Sequence, residues 1–259
     1  MVKEFDYPKF MPDGVQHLTL DHGENSWMST SVYRMKEGEV RKFQFADQEQ
    51  AFLLMYGDAE FWWNDQKERI ARKTFFDQGE GTACLHVCRG TEVTVTAFAE
   101  TEIMWEATEN EREFSAKLYH ADEISNVIVG EELCGGTCTR RVTTIIDYNN
   151  APYSNLVIGE TYTMQGSWAG YPPHGHRQPE VYYYRTDKPQ GFGACFIGDE
   201  AYVIKDRSVS ILLDGRTHPQ VTAPGYQLYI VWMIRHLPDD PWVDRIEDPE
   251  HVWVRNAQF

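Results

Sequence analysis

Apolar and β-branched residues gather in short runs along most of the chain: EVTVTAF (92–98), RRVTTIID (140–147), NLVIGETYTM (155–164), EVYYYR (180–185), AYVIK (201–205), SVSILL (208–213) and YQLYIVWMI (226–234). They alternate or form compact apolar blocks, and Gly, Pro, Asn or Asp bound them, which predicts strands rather than helices. No long stretch carries a 3.6-residue apolar period. Only the segment from Ser115 to Val129 has helical flavour, and it is read as part of a bridge between two strand-rich halves. With aromatic residues at 14%, the pattern predicts an all-β chain built as sandwiches or barrels.

The order of these runs repeats weakly. FFDQGEGTACLHVCRGTEVTVTAF (75–98) follows the same sequence of features as LLDGRTHPQVTAPGYQLYIVWM (212–233), and EQAFLLMYGD (49–58) echoes EVYYYR. Two copies are too few for a solenoid, so the expectation is two compact barrels joined at the polar seam ATENERE. The division predicted is residues 1–110 for the first barrel and 111–259 for the second.

Composition narrows the function. Acidic residues outnumber basic ones 40 to 24, for a formal charge of −16. Such a surface repels phosphate backbones and anionic membranes, so neither nucleic acid nor a membrane is expected as a partner. The N-terminal MVKEFDYPKF has no apolar core of a signal peptide, and no apolar run approaches the roughly 18 residues of a membrane span. The expected location is the cytoplasm. Cys84, Cys88, Cys134, Cys138 and Cys195 are read as reduced thiols, because neither CxxxC pair has the spacing of a redox or zinc motif.

Chemistry concentrates in YPPHGHRQPEVYYYR (171–185). On a regular strand His174, His176 and Glu180 all face one way. After the Asp214-Gly215 turn, His218 is expected to open a strand that pairs with the His-x-His strand if the barrel closes. Three imidazoles and one carboxylate suit one divalent transition metal, Zn, Mn, Fe, Co or Ni, with open positions for water or substrate. The first half lacks this set. Placing Glu49 on Glu180 puts Phe43 and Phe45 where the second half has His174 and His176, and His86 reads as an ordinary strand histidine.

His174-x-His176-xxx-Glu180 followed by Gly215-xx-His218 resembles the two metal-binding motifs of the cupins, with Arg207 and Leu213 in place of the usual Gly and Pro of the second motif. More narrowly, CGGTCTRRV, GSWAGYPPHGH, EVYYYR, PQGFG, THP and PGYQLYIVWM resemble, in order, the C-terminal half of the 5-deoxy-glucuronate isomerases of myo-inositol degradation. The resemblance covers about residues 133–258; the stretch between histidines and glutamate is shorter here.

This resemblance implies a bicupin, two β-sandwich or jelly-roll barrels in one chain, that converts 5-deoxy-D-glucuronate to 5-dehydro-2-deoxy-D-gluconate. Moving a carbonyl from C1 to C2 needs a Lewis acid and a proton shuttle. Glu180, Tyr182 and Tyr184 share a parity and are the candidate catalytic groups. An anionic sugar acid on an acidic protein also needs a local cation. Arg140 and Arg185 are the candidates, although strand parity turns Arg185 outward unless a bulge follows Glu180; Arg235 and Arg216 are weaker. The expected partner is a small sugar acid, and the expected assembly a homo-oligomer, most simply a dimer. Three alternatives are a 4-deoxy-L-threo-5-hexosulose-uronate ketol-isomerase, a metal-dependent dioxygenase and a non-catalytic sugar-binding cupin. No strand-GxGxxG-helix unit calls for a nicotinamide or flavin.

Overall fold

The computed structural model describes residues 3–19 and 22–257. It is built almost wholly of antiparallel strands, as the run pattern predicts, and no helix among the described residues is long and apolar enough to cross a membrane.

In the second half, a seven-stranded sheet runs in the order Phe5–Asp6, Val209–Leu212, Glu180–Thr186, Leu228–Arg235, Leu156–Thr163, Arg140–Ile146, Ser125–Val129. It faces a four-stranded sheet of Trp168–Ala169, Gln220–Thr222, Phe192–Ile197 and Glu200–Lys205. In the first half, one 16-residue strand, Gln48–Trp63, pairs with Ala83–Val87 and Thr101–Glu109 along its start and with Gln66–Arg72 and Val93–Ala97 along its end. A register shift between Leu54 and Tyr56 marks where it passes from one layer to the other.

The segment from Ser115 to Val129 corrects the sequence reading. It contains two strands, Lys117–His120 and Ser125–Val129, separated by a single 3₁₀ turn at Ala121–Glu123. Alternation decides it: Tyr119 is buried while its neighbours are not, and the β-branched SNVIV pairs in full register with Arg140–Thr144. Strand pairing also crosses residue 110 in both directions. Lys117–His120 extends the first half's sheet beside Ala83–Val87, and Phe5–Asp6 extends the second half's sheet beside Val209–Leu212.

Strands Leu156–Thr163, Glu180–Thr186 and Leu228–Arg235 are buried along their whole lengths. Side chains alternate between two cores. Val181, Tyr183, Val231 and Met233 join Leu53, Met55 and Met104 of the first half in one continuous core between the barrels. Tyr182, Tyr184, Ile230 and Trp232 fill the second barrel's interior instead. Gly159 is required by this packing, because a Cβ there would lie 2.1 Å from the Trp232 ring.

Several charged groups in the shared core are paired. Arg72 of the first half reaches Glu160 of the second at 2.7 Å, Asp77 at 2.7 Å and the Tyr162 hydroxyl at 2.8 Å. Glu160 also accepts from Tyr229 at 2.6 Å and Thr82 at 2.5 Å. Glu102 takes Arg185 at 2.5 Å and Arg207 at 2.9 Å. Removing one member of such a buried set leaves the other charge without compensation. Glu160→Ala should therefore destabilise the protein by about 3 kcal/mol in urea unfolding, whereas Asp58→Ala, which breaks the exposed ion pair with Arg69, should cost under about 1 kcal/mol. Equal urea midpoints for the two variants would contradict this account of the shared core.

Candidate metal centre

The strand expected to carry both histidines and the glutamate is interrupted. His174–Gly175 is a two-residue strand that pairs with Ile246–Glu247, and a loop through Pro179 separates it from Glu180, which opens the next strand. Pro179 has no backbone N–H to offer a ladder, which suits a break there. His218 does not open a strand against the His-x-His strand either. It precedes Gln220–Thr222, whose partners are Trp168–Ala169 and Phe192–Ile197, and only its backbone N–H reaches His174, donating to the carbonyl at 3.2 Å. The side chains still converge. Gly175 makes this possible, because a Cβ there would lie 2.1 Å from the Gly215 carbonyl oxygen, so the turn before His218 can close onto the histidine pair only over a glycine.

His176, Glu180 and His218 come together with ligand atoms all within 4.8 Å of one another, and all three are buried. His176 Nε2 lies 3.0 Å and His218 Nε2 3.2 Å from the same carboxylate oxygen, Glu180 Oε2. His174 stands at the edge of this group, buried, with its ring centroid 5.1 Å from that of His218.

The donor set fits a cation. Each histidine's Nδ1 faces a backbone carbonyl: His174 to Pro172 at 3.0 Å, His176 to Gln178 at 2.9 Å and His218 to Arg216 at 2.9 Å. A carbonyl only accepts, so each Nδ1 carries a proton and each ring turns Nε2 away from the backbone as the nitrogen able to ligate. The Nε2 atoms of His176 and His218 meet at one carboxylate oxygen, an arrangement that calls for positive charge at that point. His218 Nε2 is buried and, despite its distance from Glu180, is not aligned for any hydrogen bond. Burial works to raise the Glu180 pKa, but contacts with His176 and His218 outweigh it and hold the carboxyl at about 2. Burial and the neighbouring His218 push His174 down to about 3, which keeps it neutral as a ligand must be. This buried His-Glu-His group can bind a metal.

The group opens on a cavity of about 210 Å³ walled by Tyr182, Gln220, Trp232, Trp242, Arg140 and Arg245. Tyr182 is buried beside Glu180 and Gln220, and burial followed by the Glu180 charge raises its hydroxyl well above the usual range. Tyr184 shares its parity but lies deeper. Its hydroxyl is 2.8 Å from Ser210 Oγ, and it packs in the barrel interior rather than on the cavity wall. Arg140 is buried, donates to the carbonyls of Cys138 at 2.8 Å and Tyr171 at 3.2 Å, and has no carboxylate within ion-pair distance among the described residues. Burial, then the neighbouring Arg245, pulls its pKa down to about 10.

Arg185 is placed elsewhere. No bulge follows Glu180, so parity sends it to the inter-barrel side, where Glu102 and Asp206 bind its guanidinium. Arg216 pairs with Glu4 and Asp214, and Arg235 donates to Thr108 at 2.8 Å, away from the centre. Arg245 and Trp242 were not singled out in the sequence. They arrive from the C-terminal segment through the pairing of Ile246–Glu247 with His174–Gly175, which no local pattern announces.

The first barrel is filled differently, and its register differs from the alignment by one residue. Gln50, not Glu49, occupies the place of Glu180: it faces Ala107 as Glu180 faces Ile234, and it shares its inward face with Phe52 and Leu54. Phe43 and Phe45 pack on Trp105 at ring distances of 6.4 and 5.3 Å, and Trp105 Nε1 donates to Gln50 at 3.2 Å. Glu49 faces the second barrel, whose Ser154 lies at 2.9 Å and Asn155 N–H at 2.7 Å, and it also meets His86 of its own half at 2.8 Å. The five cysteines are free thiols.

Residues 8–254 match the model of the KduI/IolB family. Curated relatives named 5-deoxy-glucuronate isomerase include one from Geobacillus thermodenitrificans, 25% identical over 95% of this chain and 92% of its own length, and one from Bacillus subtilis, 23% identical over 93% and 92%. Among solved structures, an IolB-like protein from Salmonella typhimurium superposes with a TM-score of 0.88 at 21% identity, covering 98% of this chain and 99% of that one. A Lactobacillus farciminis oxalate decarboxylase superposes with a TM-score of 0.67 at 10% identity, covering 96% and 87%. These likenesses agree with a bicupin fold.

Metal analysis tests the site directly. Purified protein should carry about one transition metal per chain, in the second barrel alone. His176→Ala should lose it, and Gly175→Ala, by forcing the Gly215 turn away, should lower affinity about 10- to 100-fold with the ligands themselves intact. Both variants should keep the barrel folded by circular dichroism, since a core of this size does not depend on a metal. Unchanged metal content in His176→Ala would count against the assignment.

Proposed function

The chain belongs to the KduI/IolB family, and on that premise we propose that it is a metal-dependent aldose-ketose isomerase converting 5-deoxy-D-glucuronate to 5-dehydro-2-deoxy-D-gluconate. His176, Glu180 and His218, joined by His174, would hold one divalent transition metal. The observation that carries this reading is the meeting, in one small cavity, of the buried His-Glu-His group and a buried arginine that lacks a carboxylate partner. A sugar acid offers complementary groups to both: carbonyl and hydroxyl oxygens at one end, a carboxylate at the other. The curated relatives' names supply the particular sugar acid.

A divalent ion in this pocket supplies a Lewis acid for the carbonyl and the adjacent hydroxyl. The protein does the rest. Arg140 grips the substrate carboxylate and sets which end of the chain enters first. Trp232 and Trp242, whose ring centroids are 6.1 Å apart, limit water in the cavity. Tyr182 keeps its proton at neutral pH because burial and Glu180 oppose the phenolate, so it acts as a donor to a substrate oxygen that gains charge, not as a base. Glu180 is the one carboxylate on the cavity wall among the described residues. Its Oε2 is the oxygen that meets His176 and His218, which leaves Oε1 to take the proton from C2 and return it to C1. Tyr184, hydrogen-bonded behind Tyr182, supports that ring by packing.

The test is an NMR assay of 5-deoxy-D-glucuronate with metal content measured on the same sample. A chelator should abolish turnover and added metal restore it. In deuterated water the ketose should carry deuterium on the carbon that was the aldehyde C1 of the substrate, C6 in the product's numbering, because a carboxyl that exchanges with solvent shuttles the proton; complete retention of hydrogen would replace the Glu180 role with a hydride shift. Tyr182→Phe should lower kcat about 10- to 100-fold with little change in KM, as loss of a transition-state donor does. Full activity of metal-free protein would refute the reading.

A further inference from the structure

Two arginines, not one, line the metal-bearing cavity, and both also line an adjoining cleft of about 670 Å³. Arg140 comes from the strand Arg140–Ile146; Arg245 comes from the C-terminal segment, one residue before the strand Ile246–Glu247 that pairs with His174–Gly175. The guanidinium of Arg245 is near enough to lower the Arg140 pKa, and both groups line the same cavity. Within a protein, neighbouring guanidiniums are ordinarily relieved by carboxylates, and here that relief is slight. Arg140 bonds only to backbone carbonyls. The carboxylate nearest Arg245, Glu247, is 3.7 Å from its Nε and is already held by Arg255, whose Nε donates at 2.7 Å. Glu131 and Glu132 edge the outer cleft without pairing to either arginine among the described residues. The junction between cavity and cleft is thus a place where two cations face a space lacking a matched anion.

Resting on the isomerase reading above, we propose that Arg245 joins Arg140 in a two-guanidinium grip on the substrate's carboxylate, and that this pair selects uronic acids against neutral aldoses. The grip spans two chain elements, and the strand pairing beside His174 fixes its distance from the metal ligands. A carboxylate has lone pairs enough for both forks. A neutral sugar that carries an alcohol in its place leaves two crowded, half-dehydrated cations, and a site built for a charged partner rejects the analogue that lacks it.

The experiment measures binding apart from turnover. Isothermal calorimetry on metal-stripped wild-type, Arg245→Ala, Arg245→Lys and Arg140→Ala protein uses 5-deoxy-D-glucuronate and its analogue with a primary alcohol in place of the carboxylate, and steady-state kinetics follow on the metal-loaded forms. Arg245 is part-exposed, so the alanine variant should keep its urea midpoint. Arg245→Ala should weaken uronate binding about 10- to 100-fold and place most of its kinetic loss in KM. Arg245→Lys should recover part of that affinity. The neutral analogue should bind weakly and equally to wild type and Arg245→Ala. A uronate Kd for Arg245→Ala within twofold of wild type, or an equal loss for the neutral analogue, overturns the grip while active wild type leaves the isomerase reading intact. Wild type that binds the uronate through Arg245 but does not isomerise it supports the grip and overturns the isomerase reading.

Discussion

Three strands of the second half are buried on both faces, and that constraint organises the molecule. Each residue of Leu156–Thr163, Glu180–Thr186 and Leu228–Arg235 must suit either the core shared with the first barrel or the interior that ends in the buried His-Glu-His group. Neighbours in sequence therefore have unrelated duties: Glu180 and Tyr182 face the cavity, while Val181 and Tyr183 hold the barrels together. Charge inside the shared core obeys the same constraint. Glu49, Glu102 and Glu160 each have several partners. Glu106, with neither oxygen hydrogen-bonded, satisfies it otherwise: burial, then the Glu49 charge, pushes its carboxyl well above the usual range, so it stays neutral.

The strands, the fold class and the residues that gather at the centre were legible because period-two patterning and a short His/Glu motif are local signals. Parity also told Arg185 from its neighbours. What could not be read depended on distant pairing. Glu49 was matched to Glu180 because like residues align, yet Gln50 holds the equivalent place; a one-residue slip reverses every face of a strand, and sequence similarity alone does not fix register. Arg245 and Trp242 reach the cavity only because Ile246–Glu247 pairs with the two-residue strand His174–Gly175, far earlier in the chain. The helical flavour of 115–129 misled because its polar residues suit a helix in isolation, whereas two sheet edges were waiting for strands.

The electrostatics of the whole and of the site have opposite signs. A chain of net charge −16 keeps cations of its own where the cavity meets the cleft. The surrounding acidic surface disfavours polyanions and large anionic assemblies, while the arginines at the cavity reward a single small anion that can enter. Selection by charge thus operates twice, by exclusion at the surface and by complement inside.

The pairing of Phe5–Asp6 with Val209–Leu212 has a consequence for synthesis. Phe5–Asp6 complete a sheet whose other strand emerges from the ribosome roughly 200 residues later, about 10 to 40 seconds at ordinary elongation rates. Through that interval the leading segment has no sheet edge of its own to join, although Gln48–Trp63 and its neighbours can already assemble. The second barrel's sheet is then extended by a strand made long before its partner, which ties completion of that sheet to synthesis of both halves.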